Sequence, residues 1–264
     1  MPYIVNHGVR LYWEAHGSGP PVLLIMGLRY THEMWFRVLP RLLQAGYRAI
    51  LFDNRGVGRS ECPRGPYSIR GMAKDAAAVL DAAGVDAAHV AGASMGGMIA
   101  QELTLECPHR VRTLMLACTS YSGLLGKKPH WRYCPNPFTW SRLPSDERER
   151  TMKRLLYAET TPAERVEEDL AVRSNCVSTS RGLYAQFTAI LLWSSYRRLP
   201  RINVPTLVLH GADDHLLPPE NGRRIAARIP GARFHLLPNA GHLLTTDQPG
   251  LTVQLFLDFL KETG

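Results

Sequence analysis

Ser94 sits in Gly92-Ala93-Ser94-Met95-Gly96, with a glycine two residues away on either side, where the apolar run HVAG gives way to the helix-like MGGMIAQELTLEC. This is the G-x-S-x-G pattern that holds a serine on a sharp strand-to-helix turn with its hydroxyl exposed beyond the strand's carboxyl end. The glycines have a physical reason. The turn forces an unfavourable backbone geometry, and a larger side chain two positions away would meet neighbouring backbone. A serine hydroxyl is a poor nucleophile near neutral pH, so a base must take its proton and a third group must orient that base. The downstream sequence supplies candidates for both. PTLVLHGADDHLLPP ends an apolar run with two adjacent carboxylates, Asp213 and Asp214, and FHLLPNAGHLLTTDQP ends the next with a histidine ahead of the last helical stretch. Five residues of motif alone would also fit an unreactive tight turn, so the surrounding elements decide.

Those elements alternate. YIVN and VRLYWEA, joined at His7-Gly8, read as an opening hairpin. PPVLLIMG, YRAILFDN, HVAGAS, RTLMLACTS, PTLVLHGA and ARFHLLPN are compact apolar runs of the kind expected for strands buried on both faces of a parallel sheet. MWFRVLPRLLQAG, YSIRGMAKDAAAVLDAAG, MGGMIAQELTLEC, ENGRRIAARIP and LTVQLFLDFLKE read as helices between and after them. The alternation predicts an α/β fold, a mostly parallel sheet covered by helices on both faces. From about Tyr121 to Pro200 the rhythm stops. An aromatic and proline-rich stretch, HWRYCPNPFTW, precedes the amphipathic segments ERERTMKRLLYAE, PAERVEEDLAV and GLYAQFTAILLW. An insertion of this length carries its own helices, and the expected organisation is a core over residues 1–119, a helical lid over 120–200 and a second part of the core over 201–264.

Composition narrows the class. The 264 residues are 45% hydrophobic and 20% charged, which is enough for one substantial domain and lies outside the disordered and disulfide-rich ranges. Five cysteines, odd in number and without a CxxC pair, predict neither a disulfide framework nor a zinc site and fit reduced, cytoplasmic thiols. No apolar run approaches the roughly 20 residues of a membrane span, and none resembles a secretory leader. A net charge of +8 raises nucleic-acid binding as a class. The charges of 120–200, 13 Lys/Arg against 8 Asp/Glu, are interleaved as on solvated helix faces, so neither nucleic acid nor membrane is expected as a partner. Asp53-Asn54-Arg55-Gly56-Val57-Gly58-Arg59-Ser60 is glycine-rich but lacks G-K-[ST] and does not open a Rossmann helix, and it reads as a tight loop beside the site rather than a nucleotide cradle.

On these motifs and their order, the chain resembles the α/β-hydrolase-fold serine hydrolases. GPYSIRGMAKDAAAVLD and ASMGGMIAQ are most similar to the enol-lactonase-like and small-esterase branch. The likeness extends over about 1–119 and 201–264 and says little of the lid. It implies the chain order Ser, Asp, His. HG-x-x-D followed by an apolar pair and proline places the acid at Asp214, with Asp213 as a turn neighbour, and AGH before the last helix places the base at His242. His210 of the HG pair then reads as structural. The resemblance also implies an oxyanion hole of two backbone amides, Met95 after the nucleophile and Leu28 after the strand PPVLLIMG. Family members commonly carry His-Gly where this chain has Met26-Gly27, which puts the hydrogen bonding of that loop in question. The implied activity is cleavage of a carboxylic ester or lactone through an acyl-enzyme, with no metal or organic cofactor. A C-C bond hydrolase, a cofactor-free perhydrolase, a secondary-metabolism tailoring enzyme and a ligand receptor on the same fold share these motifs. Trp131, Tyr133, Phe138, Trp140, Tyr184, Phe187 and Trp193 point to an apolar or aromatic substrate part, or to a core of the lid's own.

Overall fold

In the computed structural model, which describes residues 2–129, 142–174, 176 and 178–263, the apolar runs form a single sheet of eight strands. They are β1 (Tyr3–Asn6), β2 (Val9–His16), β3 (Pro21–Ile25), β4 (Arg48–Phe52), β5 (Ala88–Ala93), β6 (Val111–Ala117), β7 (Thr206–Gly211) and β8 (Arg233–Leu237), in the spatial order β1-β2-β4-β3-β5-β6-β7-β8. The opening hairpin closes through His7 and Gly8, at φ of 46° and 77°, the positive pair that a two-residue turn between twisted strands requires. Only β1–β2 and β2–β4 pair antiparallel, and every later neighbour is parallel.

The buried strands carry apolar side chains on both faces because successive residues point to opposite sides. In β3, Leu23 and Ile25 join one core while Val22 and Leu24 join the other; β6 divides Leu114 and Leu116 from Met115 and Ala117 in the same way. On the first face pack α2 (Ile69–Ala82), α3 (Met95–Glu106) and α7 (Glu220–Arg228), through residues such as Met72, Val79, Ile99 and Ile225. On the second pack α1 (Leu39–Gln44) and α9 (Pro249–Thr263), through Leu42, Val253, Phe256 and Leu260. The short α8 (Leu244–Asp247) precedes α9.

Two elements depart from the sequence expectation. MWFRVLPRLLQAG is not one helix: a 3-10 turn at His32–Trp35 is followed by the separate α1, with Pro40 in its first turn. Proline has no N–H to donate and clashes with the carbonyl four residues earlier, so a helix cannot run through it but can start at it. ARFHLLPN forms β8 at the sheet edge, where Arg233, His235 and Leu236 are exposed, so it is not buried on both faces. Between β6 and β7 lie α4 (Ser145–Leu156), α5 (Ala163–Ser174) and α6 (Ser180–Leu191). α6 is capped by the Thr179 hydroxyl, which accepts from the Gly182 amide at 3.0 Å, and α4 carries the one-turn pairs Asp146–Arg150 and Glu149–Lys153 on its exposed face.

The chain runs from β3 to β4 on one side and then crosses to β5 on the other, so the connections leaving the carboxyl ends of these paired strands, β3 and β5, part. Such a reversal leaves a crevice in open α/β sheets. Ile25 and Gly92 are register partners there, and both Leu28 and Ser94 follow within a few residues.

Candidate active site

Ser94 follows β5 and precedes α3 at φ 55°, ψ −120°, a conformation that costs a non-glycine residue energy and is held only by its surroundings. Those surroundings are specific. The Ser94 amide donates to the Ala117 carbonyl at 2.9 Å, and its carbonyl accepts from the Thr119 hydroxyl at 2.6 Å. A Cβ on Gly92 would stand 2.3 Å from the Gly96 carbonyl oxygen, and one on Gly96 would stand 2.0 Å from that of Ile25. Both glycines are therefore required by backbone contact, as the motif implies.

Asp214 and His242 come together from the loops after β7 and β8. His242 Nδ1 is 2.9 Å from Asp214 Oδ2. The carboxylate can only accept, so Nδ1 carries the proton and Nε2 is left as the ring's acceptor. The other oxygen, Oδ1, accepts the amides of Leu216 and Leu217 at 3.0 and 2.8 Å. Asp213 differs: its amide donates to the Ala240 carbonyl at 2.9 Å, and among the described residues its carboxylate makes no hydrogen bond or ion pair. Burial would raise the Asp214 pKa, but His242 and His210 outweigh it and hold the carboxyl well below the usual carboxylate range.

His210 is the feature sequence reasoning passed over as structural. It is fully buried, with Nε2 2.7 Å from the Leu217 carbonyl and 3.2 Å from Asp214 Oδ2. Two acceptors facing one nitrogen place its proton there. The HG-x-x-D spacing carried this signal, since four residues return the chain from the strand end to its own side. A second unforeseen group is Asp247, whose carboxylate accepts from the Gly241 amide and the Thr161 hydroxyl, each at 2.6 Å. Burial pushes its pKa up to about 6.

Cys118, His210 and Asp214 place potential ligand atoms within 4.8 Å of one another. Their chemistry does not fit a resident ion. The four contacts of Asp214 are taken by two amides and two imidazoles, and burial pushes the Cys118 thiol well above its ordinary pKa, away from the thiolate a metal needs.

A cavity of about 300 Å³ opens over this region, and Ser94, Met95, Leu28 and His242 all line it. Among the described residues the Ser94 hydroxyl makes no hydrogen bond, and the backbone amides of Leu28 and Met95 donate to no protein acceptor. Met95 is the first residue of α3, whose first amides have no carbonyl one turn back. The Met26-Gly27-Leu28 loop is secured without the family's histidine: Asn54 Nδ2 donates to the Met26 carbonyl at 2.9 Å, and the Arg29 amide donates to Gln186 Oε1 at 3.1 Å. Asn54 belongs to the DNRGVGRS stretch, which is the tight loop beside the site that its sequence implied. Of the lid aromatics, Phe187 lines the cavity, Tyr184 is exposed and Trp193 is buried, with its indole N–H on Glu102. Trp131, Tyr133, Phe138 and Trp140 lie outside the described residues.

A family profile describing the α/β hydrolase fold matches residues 20–249. The chain belongs to that family. Among its relatives, a protein named as a carbamate hydrolase, RutD, of Azorhizobium caulinodans is 34% identical and covers 99% of both chains. An esterase from Exiguobacterium antarcticum superimposes with a TM-score of 0.84 at 25% identity, over 98% of both chains. The enol-lactonase of Burkholderia xenovorans superimposes at 0.81 with 25% identity, over 98% of this chain and all of its own. The hydrolase thus falls in the small-esterase branch that its nucleophile segment resembles. Among its described residues, no helix is long and apolar enough to cross a membrane.

Proposed function

We propose that this hydrolase cleaves a carboxylic ester or lactone through an acyl-enzyme, with Ser94 as nucleophile, His242 as base and then acid, and Asp214 as the group that orients His242. The observation that carries the reading is the convergence, on one largely apolar cavity, of a strained serine with an uncommitted hydroxyl and a histidine whose far nitrogen is fixed by a buried carboxylate.

The Ser94 hydroxyl attacks the carbonyl carbon while His242 Nε2 takes its proton. Asp214 stabilises the imidazolium, and the amides of Leu28 and Met95 donate hydrogen bonds to the developing oxyanion, usually the largest single contribution to such catalysis. Collapse returns the proton from His242 to the departing alcohol. In a lactone that alcohol remains attached to the acyl chain. Water, deprotonated by His242, then attacks the acyl-enzyme and releases the acid. The helices between β6 and β7 act as the lid over residues 120–200: Met152, Leu156, Leu183, Phe187 and Ile190 supply apolar walls that favour an apolar substrate part and exclude water from the reacting carbonyl.

A panel of chromogenic esters of increasing acyl length tests the reading. The wild type turns over at least part of the panel, and Ser94→Ala abolishes turnover while its circular dichroism and unfolding transition are kept. Residual activity above a few per cent in the variant contradicts the nucleophile.

A further inference from the structure

Among the described residues that line the cavity, the side chains apart from Tyr30, Ser94 and His242 are apolar, with two exceptions, Arg29 and Arg173, and none is an Asp or Glu. Arg173, near the end of α5, is half-buried, and its surroundings differ from those of the other half-buried arginines: Arg48, Arg165 and Arg228 donate to backbone carbonyls, and others meet carboxylates. Arg37 is paired with Asp169 and Glu168, Arg55 with Asp75, and Arg198 with Glu102. Among the described residues Arg173 has no carboxylate within ion-pair distance, and the stretch 130–141 contains no Asp or Glu at all. The nearest acid on its own helix, Asp169 one turn earlier, is engaged by Arg37 and by the Thr246 hydroxyl. The Arg173 guanidinium stands 5.1 Å from the centre of the Tyr30 ring, and both residues line the cavity. Beside it lies the buried hydroxyl of Tyr157, which interacts with the guanidinium.

A half-buried guanidinium without a carboxylate partner, at the wall of an apolar pocket, is a costly arrangement unless a ligand completes it. We propose that Arg173, with Arg29 at the exposed rim, binds an anionic group of the substrate. The substrate is then an ester or lactone that carries a carboxylate, separated from the scissile carbonyl by an apolar stretch lying along the methionine and leucine walls. Guanidinium suits this task because its planar fork matches a carboxylate with two parallel hydrogen bonds. The inference rests on the ester-hydrolase reading and deepens it.

The test pairs chromogenic monoesters of straight-chain dicarboxylic acids with the esters of the monocarboxylic acids of equal length. At the best length, kcat/KM favours the anionic ester by about tenfold or more, the scale of a hydrogen bond to a charged group. The preference shrinks as KCl rises. Arg173→Gln removes it, read as the ratio of the two esters, and Arg173→Lys retains part of it. Equal or better use of the neutral ester at every length overturns the inference while leaving ester hydrolysis intact, as does a preference that survives Arg173→Gln. If Arg173→Gln does not fold, the salt dependence and Arg173→Lys decide. If no ester of either series is turned over, it is the ester reading that fails. Calorimetry with the non-hydrolysable monoamides of the same diacids then decides the anion site: binding tighter than that of the uncharged amides supports it, and equal binding overturns it.

Discussion

Asp214 is committed on every side: two amides at one oxygen, two imidazoles at the other. Asp213, one residue away, has only its backbone in the turn. The two therefore separate cleanly by mutation. Asp214→Asn presents an amide where His242 Nδ1–H needs an acceptor and lowers kcat by about 10⁴-fold, as in analogous triads, whereas Asp213→Asn changes it by less than about tenfold. Steady-state rates on one good ester decide this, and the reverse order contradicts the assignment. At this scale much was legible. The candidate nucleophile Ser94 followed from its flanking glycines, and the candidate acid and base from their places at the ends of apolar runs, although residue chemistry left Asp213 and Asp214 equivalent until the family pattern chose between them. His210 and Asp247 were not legible as parts of the site, because their roles depend on which way a buried side chain turns after the chain has reversed.

Elements position these residues through backbone contact. The crossing of α3 under the end of β3 is so close that a Cβ on Gly96 would stand 2.0 Å from the Ile25 carbonyl oxygen, while one on Gly250, in the first turn of α9, would meet nothing within 4 Å. Gly96→Ala thus forces the strand and helix apart at a cost of about 1–3 kcal/mol, seen as a Tm lower by several degrees and as lost activity. Gly250→Ala only restricts the unfolded chain and raises stability by about 0.4–1 kcal/mol. Equal Tm values for the two variants contradict the close-crossing account. Periodicity located most strands and helices because apolar alternation and helical spacing are local. It misjudged the segment before β4, where Pro40 divides a turn from α1, and β8, whose exposure reflects its position at the edge of the sheet. The cavity-facing Arg173 was not visible either, since the rotation of α5 about its axis is set by its partners.

Across the whole molecule, the segment between β6 and β7 is fastened to the core by polar ties that no local pattern announces. Arg37 reaches Asp169 and Glu168 of α5, Gln186 of α6 donates to the Arg55 carbonyl at 2.8 Å, and the Leu243 amide beside His242 donates to the Leu156 carbonyl at 2.9 Å. The Asp247 carboxylate bridges the His242 loop to Thr161. In the proposed reading this segment serves as a lid that is tied to the His242 loop, and the cavity they share is already assembled around Ser94. The measurement that tests this most directly is labelling with a fluorophosphonate, read by intact mass and peptide mapping. The account predicts a single adduct on Ser94, formed rapidly by the folded wild type and absent from Ser94→Ala. A well-folded wild type that takes up no adduct, or takes it up at another residue, would contradict it.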